Sequence, residues 1–88
     1  MENEIIESVA FIKSSKNRYK VLYSINDGIK IPSEISRETE IRLNHVSALL
    51  KDLKENGYVV CLNENYKKGR MYSLTETGKN VLNIINGL

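Results

Sequence analysis

Residues 31–75 read IPSEISRETEIRLNHVSALLKDLKENGYVVCLNENYKKGRMYSLT, and this stretch decides the fold of the chain. Pro32 predicts the start of a short helix over 32–38, because its missing N–H would have no partner in a first helical turn. A tight turn at 39–41 follows, and then a longer amphipathic helix over 42–56. A short helix, a turn and a longer helix in this order predict a helix-turn-helix unit.

The longer helix has one apolar face and one polar face. At about 100° per residue its apolar side chains fall within one broad stripe, which we expect to be buried. These residues are Leu43, Val46, Leu49, Leu50 and Leu53. Gly57 ends the helix, and two extended runs over 58–63 and 70–74 then predict a β-hairpin with a basic tip between them.

The flanking sequence predicts three more helices. Apolar residues at helical spacing indicate helices over 2–14 and 17–26, and a third over the last residues to about 86, capped by Thr75 or Thr77. The predicted fold class is α+β, mostly α, with the hairpin before the last helix. The length of 88 residues leaves room for one domain, over 1–88.

Composition restricts the cellular setting. One cysteine, Cys61, cannot form an internal disulfide, which fits a reducing cytosol. No apolar run approaches the roughly 20 residues of a membrane span, and the acidic N-terminus lacks the basic flank of a signal peptide. We therefore expect a cytoplasmic protein with no membrane partner. The formal net charge is only +2, but lysine and arginine cluster in the hairpin tip.

The chain has few residues that could carry chemistry. His45 and Cys61 are one imidazole and one thiol on different elements, and they cannot complete a tetrahedral metal site within one chain. No nucleophile is paired with a base, and no glycine-rich phosphate loop is present in the sequence. We expect no metal, no cofactor and no enzymatic activity, and we interpret Cys61 as a small apolar strand residue.

Three segments together carry a resemblance to a known family. They are NRYKVLYSINDG (17–28), SEISRETEIRLNHVSALLKDLKENGYV (33–59) and GRMYSLTETGKNVL (69–82). In this order and spacing the chain resembles the winged helix-turn-helix family, in particular the small ArsR/MarR-like transcriptional regulators of bacteria and archaea. The resemblance implies sequence-specific binding of double-stranded DNA by a homodimer. Helix 42–56 would be the recognition helix in the major groove, and the wing, 63–70, would lie on the backbone or in the minor groove.

Two positions depart from the family pattern. Glu40 stands in the turn where the family often has glycine, and Arg42 stands where a capping serine is frequent. Glu40 is favourable to the helix dipole but brings negative charge close to DNA phosphate. Arg42 could offset that charge by pairing with Glu40 or by contacting a phosphate.

The candidate DNA contacts lie on three elements. On the recognition helix they are Arg42, Asn44, His45, Ser47, Ala48 and Lys51. On the wing they are Tyr66, Lys67, Lys68 and Arg70, and on the short helix they are Ser33 and Arg37. Side chains of these types can pair with base edges or phosphates. The alternative is a solvated helix face and a charged tip that only discourages strand pairing at the hairpin edge.

The first and last helices carry apolar stripes that we expect to form a dimer interface. These residues are Ile5, Ile6, Val9, Ile12, Val81, Leu82, Ile84 and Ile85. The alternative is that both helices only cover their own core. A second function also stays open, in which the winged helix is a protein–protein interaction module in a larger assembly.

Overall fold

The computed structural model describes residues 2–87, so Met1 and Leu88, the ends of the domain expected over 1–88, lie outside the described residues. The elements in order are α1 (Glu2–Lys13), α2 (Lys16–Ile25), α3 (Pro32–Thr39), α4 (Leu43–Glu55), β1 (Val59–Cys61), β2 (Tyr72–Leu74) and α5 (Glu76–Asn86). The predicted class, mostly helical with a two-stranded hairpin, is confirmed. Within the described residues, no helix is long and apolar enough to cross a membrane.

Local capping interactions set where the helices begin. The Ser15 hydroxyl accepts a hydrogen bond from the Arg18 N–H (3.3 Å) and starts α2. Of the two predicted caps of the last helix, Thr75 is the one observed. Its Oγ1 accepts a hydrogen bond from the Gly78 N–H (3.0 Å) at the start of α5. Each contact gives a partner to a backbone donor that the first helical turn leaves unpaired.

The hairpin is shorter than predicted. β1 and β2 are antiparallel and pair Val59 with Leu74 and Cys61 with Tyr72. Beyond Cys61, the Asn63 carboxamide accepts from the Met71 N–H (2.7 Å), a donor that strand pairing would otherwise use. A third extended segment joins the hairpin at Lys30, whose backbone exchanges two hydrogen bonds with Tyr72 (3.0 and 2.8 Å).

The core lies between the helices and the inner face of the hairpin. Its largest fully buried side chains come from α1, α2, α3, α4 and α5, and they are Ile12, Leu22, Ile25, Ile35, Leu50, Leu53 and Leu82. The expected apolar stripe of α4 is buried at Val46, Leu49, Leu50 and Leu53. The prediction for Leu43 is wrong, since 49% of this residue is exposed. Leu43 is the first residue of α4 and lies about 70° from the centre of the buried stripe, so the core does not reach it.

Arg18 connects three helices. Its guanidinium donates to the Phe11 carbonyl oxygen (2.9 Å) and to the Ser14 hydroxyl (2.9 Å) at the end of α1, and to Asp52 of α4 (3.2 Å). It also lies 3.8 Å from the centroid of the Phe11 ring. The Phe11 ring in turn stacks on Tyr58 at 5.6 Å between centroids. Arg18 therefore fixes α1 and α4 relative to α2.

Candidate nucleic-acid interface

The turn between α3 and α4 is held by short polar contacts. Ser36 donates through its hydroxyl to the Ile41 carbonyl oxygen (2.5 Å), and the Thr39 hydroxyl accepts from the Ile41 N–H (3.3 Å). Glu40 adopts the left-handed conformation, with φ 61° and ψ 21°. This conformation is the physical reason why glycine would suit the position. The Glu40 side chain is exposed, and Arg42 precedes the first turn of α4 without capping it through its side chain.

A concave surface lies between α4 and the wing, and we call it the basic groove. Its volume is about 490 Å³. The lining residues come from the start of α3, from α4 and from the hairpin, and they are Ile31, Pro32, Ser33, Leu43, Ser47, Lys51, Lys54, Lys67, Lys68, Gly69, Arg70 and Tyr72. Five of these side chains are cationic, and no carboxylate is among the lining residues of the described chain. The groove therefore has the charge that phosphate groups require.

The basic groove brings together half of the predicted DNA contacts. The predicted residues that line it are Ser33, Ser47, Lys51, Lys67, Lys68 and Arg70. The others are exposed but lie outside the lining, and they are Arg37, Arg42, Asn44, His45, Ala48 and Tyr66. At about 100° per residue, His45 lies on the same flank of α4 as Asp52, which faces Arg18 of α2. His45 is therefore on the opposite side of α4 from the wing.

The Asn44 side chain has a local partner. Its Oδ1 accepts a hydrogen bond from the backbone N–H of His45 (3.0 Å) in the first turn of α4. A carboxamide that pairs with an adenine edge uses both its oxygen and its nitrogen. The Asn44 oxygen has a second lone pair, so it can accept from an adenine amino group while it keeps this backbone contact or after it releases it.

The wing tip is ordered by its own side chains. Arg70 donates through Nε to the Tyr66 carbonyl oxygen (2.6 Å) and through Nη2 to that of Glu64 (3.4 Å). The Asn63 carboxamide donates to the Gly69 carbonyl oxygen (3.1 Å) from the other side. These contacts leave the side chains of Lys67 and Lys68 exposed at the tip.

Lys54 lines the groove, although the sequence interpretation did not include it. Helical spacing could have found it, because Ser47, Lys51 and Lys54 share one face of α4. Lys54 forms an ion pair with Glu64 of the wing. Their hydrogen bond lowers the pKa of Glu64 and raises the pKa of Lys54. This pair joins α4 to the wing and offsets the charge of one of the five cationic side chains of the groove.

The predicted dimer residues divide into two groups. Ile12, Val81 and Leu82 are buried within the single chain, and Val9 and Ile85 are partly buried against the same core. These residues cover their own core, as the alternative interpretation had it, because α1 and α5 pack on the other helices. The exposed members are Ile5, Ile6 and Ile84.

Neither Cys61 nor His45 belongs to a candidate metal site in the described part of the chain. Cys61 is a buried residue of β1 within the core. Among residues 2–87, no group of three or more histidine, cysteine, aspartate or glutamate side chains could hold a metal ion.

The chain is similar to known proteins in its structure. No protein-family model and no curated protein matches the sequence. TubR from Bacillus thuringiensis serovar israelensis, solved bound to 24 bp of tubC, superposes with a TM-score of 0.80 at 17% identity. That match covers 94% of this chain and 92% of TubR.

Two MarR structures are also similar. A putative MarR-family transcriptional regulator from Porphyromonas gingivalis has a TM-score of 0.76 at 27% identity, over 93% of this chain and 82% of its own. A MarR variant from E. coli, solved with operator DNA, has a TM-score of 0.76 at 26% identity over 96% of this chain. The chain spans 61% of the length of that MarR chain. The resemblance predicted from the sequence is confirmed: the chain has the winged helix-turn-helix fold and is similar to MarR-like regulators over nearly all of its length.

Proposed function

We propose that this protein binds double-stranded DNA and acts as a sequence-specific transcriptional regulator. The observation that carries the proposal is the basic groove, in which five cationic side chains converge between the predicted recognition helix and the wing. TubR and the E. coli MarR variant, which share this fold, were both solved with DNA. The chain spans less than two thirds of that MarR, so the proposal concerns DNA binding and regulation and not any further activity of the longer protein.

In the proposed complex, α4 lies in the major groove. The first half of a recognition helix is closest to the base edges. The polar or small side chains that this half exposes away from α2 are Asn44, Ser47 and Ala48, followed by Lys51, whereas His45 is exposed on the flank toward α2. Asn44 suits an adenine edge, Ala48 allows close approach, and Lys51 suits guanine or a phosphate.

The wing and α3 would hold the DNA backbone. Lys67 and Lys68 are free at the tip to contact phosphate or the adjacent minor groove. Arg70 is already hydrogen-bonded to the tip backbone, so we assign it the role of ordering the wing in addition to its charge. Ser33 lies at the second position of α3, where its hydroxyl can donate to a phosphate. Arg37 is exposed on the same helix and would contact phosphate outside the groove.

The test is selection of bound fragments from a random duplex pool at two salt concentrations. If each subunit neutralises about 3–5 phosphates, the slope of log affinity against log salt is roughly −3 to −4.5 per subunit. Lys67→Ala should reduce this slope by about 0.9 and weaken binding to all sequences alike. Lys20→Ala is the matched control, because Lys20 is exposed on α2 and does not line the groove. Affinity that does not depend on salt, or a pool with no enriched duplex at low salt, would contradict the proposal.

We further propose a homodimer formed through α1 and α5. Ile5, Ile6 and Ile84 are exposed apolar residues on two helices that pack against each other in the single chain. A two-fold contact between two copies would bury them and present both α4 helices on one side. Half-sites would then lie about 10 bp apart, or a multiple of that distance.

Sedimentation at tens of micromolar should show a dimer for the unmodified protein. Ile84→Glu should give a monomer that loses most of the DNA affinity, because charge is costly in an apolar contact. Leu62→Glu, an equally drastic change at an exposed leucine of the hairpin, should leave the protein dimeric. A monomer for the unmodified protein would remove the dimer proposal and leave the DNA surface in place.

A second candidate function is a protein-binding module. The outward face of the hairpin exposes Val60, Leu62 and Met71, and the Leu62 N–H donates to the Met71 carbonyl oxygen, so these residues are neighbours. An exposed apolar patch of this kind suits a protein partner. If no duplex binds in the selection at low salt, a protein-binding function is favoured over DNA binding.

A further inference from the structure

Leu43 is an exposed leucine at the start of the predicted recognition helix. The residue is 49% exposed, whereas the other leucines and the valine of α4 are buried. About half of its apolar surface is therefore in contact with water in the free chain and is available to a partner. A role in a complex would account for it.

The surroundings of Leu43 are partly cationic and partly apolar. It lines the basic groove together with the lysines of α4 and with Ile31 and Pro32, and it lies about 40° from Ser47 on the helix surface. Phosphate groups would pair with the lysines of the groove. A leucine has no hydrogen-bond donor or acceptor, so it can contribute only by contact with an apolar group.

The edges of DNA base pairs offer one such group in the major groove. This group is the C5-methyl of thymine, while the other major-groove features are hydrogen-bond donors and acceptors. Leu43 is the first residue of α4, at the end of the helix that approaches base edges most closely. Leu43 lies on the flank of α4 between the buried stripe and the exposed face, so DNA held on the lysines by charge complementarity would bring base edges within its reach.

We propose that Leu43 is a specificity-determining residue that contacts the methyl group of a thymine in each half-site. This inference rests on the proposed DNA-binding function and adds to it the base, and the atom of that base, that the first turn of α4 recognises.

The test replaces thymine by deoxyuridine, which differs only in lacking this methyl group. Each thymine of the duplex selected by the unmodified protein is exchanged singly, and binding is measured by fluorescence anisotropy. At one position in each half-site, loss of the methyl should weaken binding about fourfold, the value for one buried methylene-sized group. Leu43→Ala should bind the thymine duplex more weakly than the unmodified protein does. The same variant should show no further loss on the deoxyuridine duplex.

Two variants serve as controls. Leu62→Ala removes an equally exposed leucine, 50% accessible, on the outward face of the hairpin, and it should keep the fourfold preference for thymine. Leu43→Met keeps an apolar side chain of similar volume and should also keep it. Circular dichroism should show Leu43→Ala folded, since alanine is the best helix former and the site is half exposed.

The outcomes separate this inference from the proposed function. If duplexes are selected but no deoxyuridine exchange weakens binding, or if Leu43→Ala keeps the same preference, the thymine contact is wrong and DNA binding stands. A selected sequence without thymine beneath α4 would overturn the contact equally. If no duplex is enriched at all, both proposals fail.

Discussion

Replacement of Gly78 by alanine should destabilise the fold, although glycine-to-alanine changes in helices ordinarily stabilise by up to about 1 kcal/mol. Gly78 is buried in the first turn of α5, which passes closely over the start of β1. A Cβ added there would lie well inside van der Waals contact of the Tyr58 carbonyl oxygen and 3.1 Å from its carbonyl carbon. Both atoms belong to the backbone, so no side-chain rotation can relieve the overlap.

The size of the effect follows from what must move. Relief of the overlap requires α5 to shift away from β1, which weakens two hydrogen bonds at this junction. These are Thr75 N–H to the Tyr58 carbonyl oxygen (3.1 Å) and the Thr75 hydroxyl to the Gly57 carbonyl oxygen (2.6 Å). Each bond contributes about 0.5–1.5 kcal/mol when intact, so partial weakening of the two costs about as much as the helix-propensity gain returns. Overpacking costs roughly a further 1–3 kcal/mol. After subtraction of the helix-propensity gain, we expect a net loss of about 1–3 kcal/mol.

Thermal unfolding followed by circular dichroism measures this directly. In a domain of this size the loss corresponds to a fall in Tm of roughly 5–20 °C. Gly87→Ala is the matched control, because Gly87 has helical φ of −82° and an added Cβ would meet only ordinary contacts at 3.4 Å. If Gly78→Ala melted at or above the temperature of the unmodified protein, the close approach of α5 to β1 would be refuted.

Two further predictions concern polar contacts. Arg18→Lys should lower the free energy of unfolding by about 1–3 kcal/mol in urea titrations, because the single nitrogen of an ammonium does not span the positions from which Nε and Nη1 reach Asp52, Phe11 and Ser14. Lys20→Arg on the same helix should change nothing, and equal midpoints for all three proteins would contradict this role of Arg18. The hydrogen bond with Lys54 lowers the pKa of Glu64 below its ordinary value of 4.5. The stabilisation that this pair gives to the folded protein is therefore fully present above pH 4.5 and is lost as the pH falls through the lowered pKa. The Tm difference between the unmodified protein and Glu64→Gln should therefore shrink on acidification from pH 7 to pH 3, and a constant difference would contradict the assignment.

The helix-turn-helix and the hairpin could be predicted because their signals are local. Pro32, the apolar spacing of α4 and the turn-rich tip each act within a few residues of one another, and elements of this type were found where expected. Element ends were less accurate. The strands stop early because the Asn63 side chain takes over a backbone donor, an interaction that no periodicity encodes.

The contacts that sequence analysis missed join residues on different elements of the fold. The ion pair of Arg18 with Asp52 joins α2 to α4, and that of Lys54 with Glu64 joins α4 to the wing. A charge pattern shows which residues are cationic but not which partners the fold brings to them. Leu43 shows the corresponding limit for apolar residues, since hydrophobic spacing predicts a helix face but not how far the core extends along it.

The junction at the start of β1 also links the two proposed surfaces. The Tyr58 N–H donates to the Leu53 carbonyl oxygen at the end of α4 (2.9 Å), and the Tyr58 carbonyl oxygen accepts from Thr75 before α5. The position of the wing relative to α4, which shapes the basic groove, is therefore fixed by the same few residues that orient α5 and its exposed Ile84. With Gly78 allowing no added atom between α5 and β1, this junction has little freedom to adjust. If the proposed dimer forms through α1 and α5, the subunit contact and this junction together set the distance between the two α4 helices. The half-site spacing should accordingly vary little among the selected duplexes. Gly78→Ala should increase this variation for those molecules that remain folded.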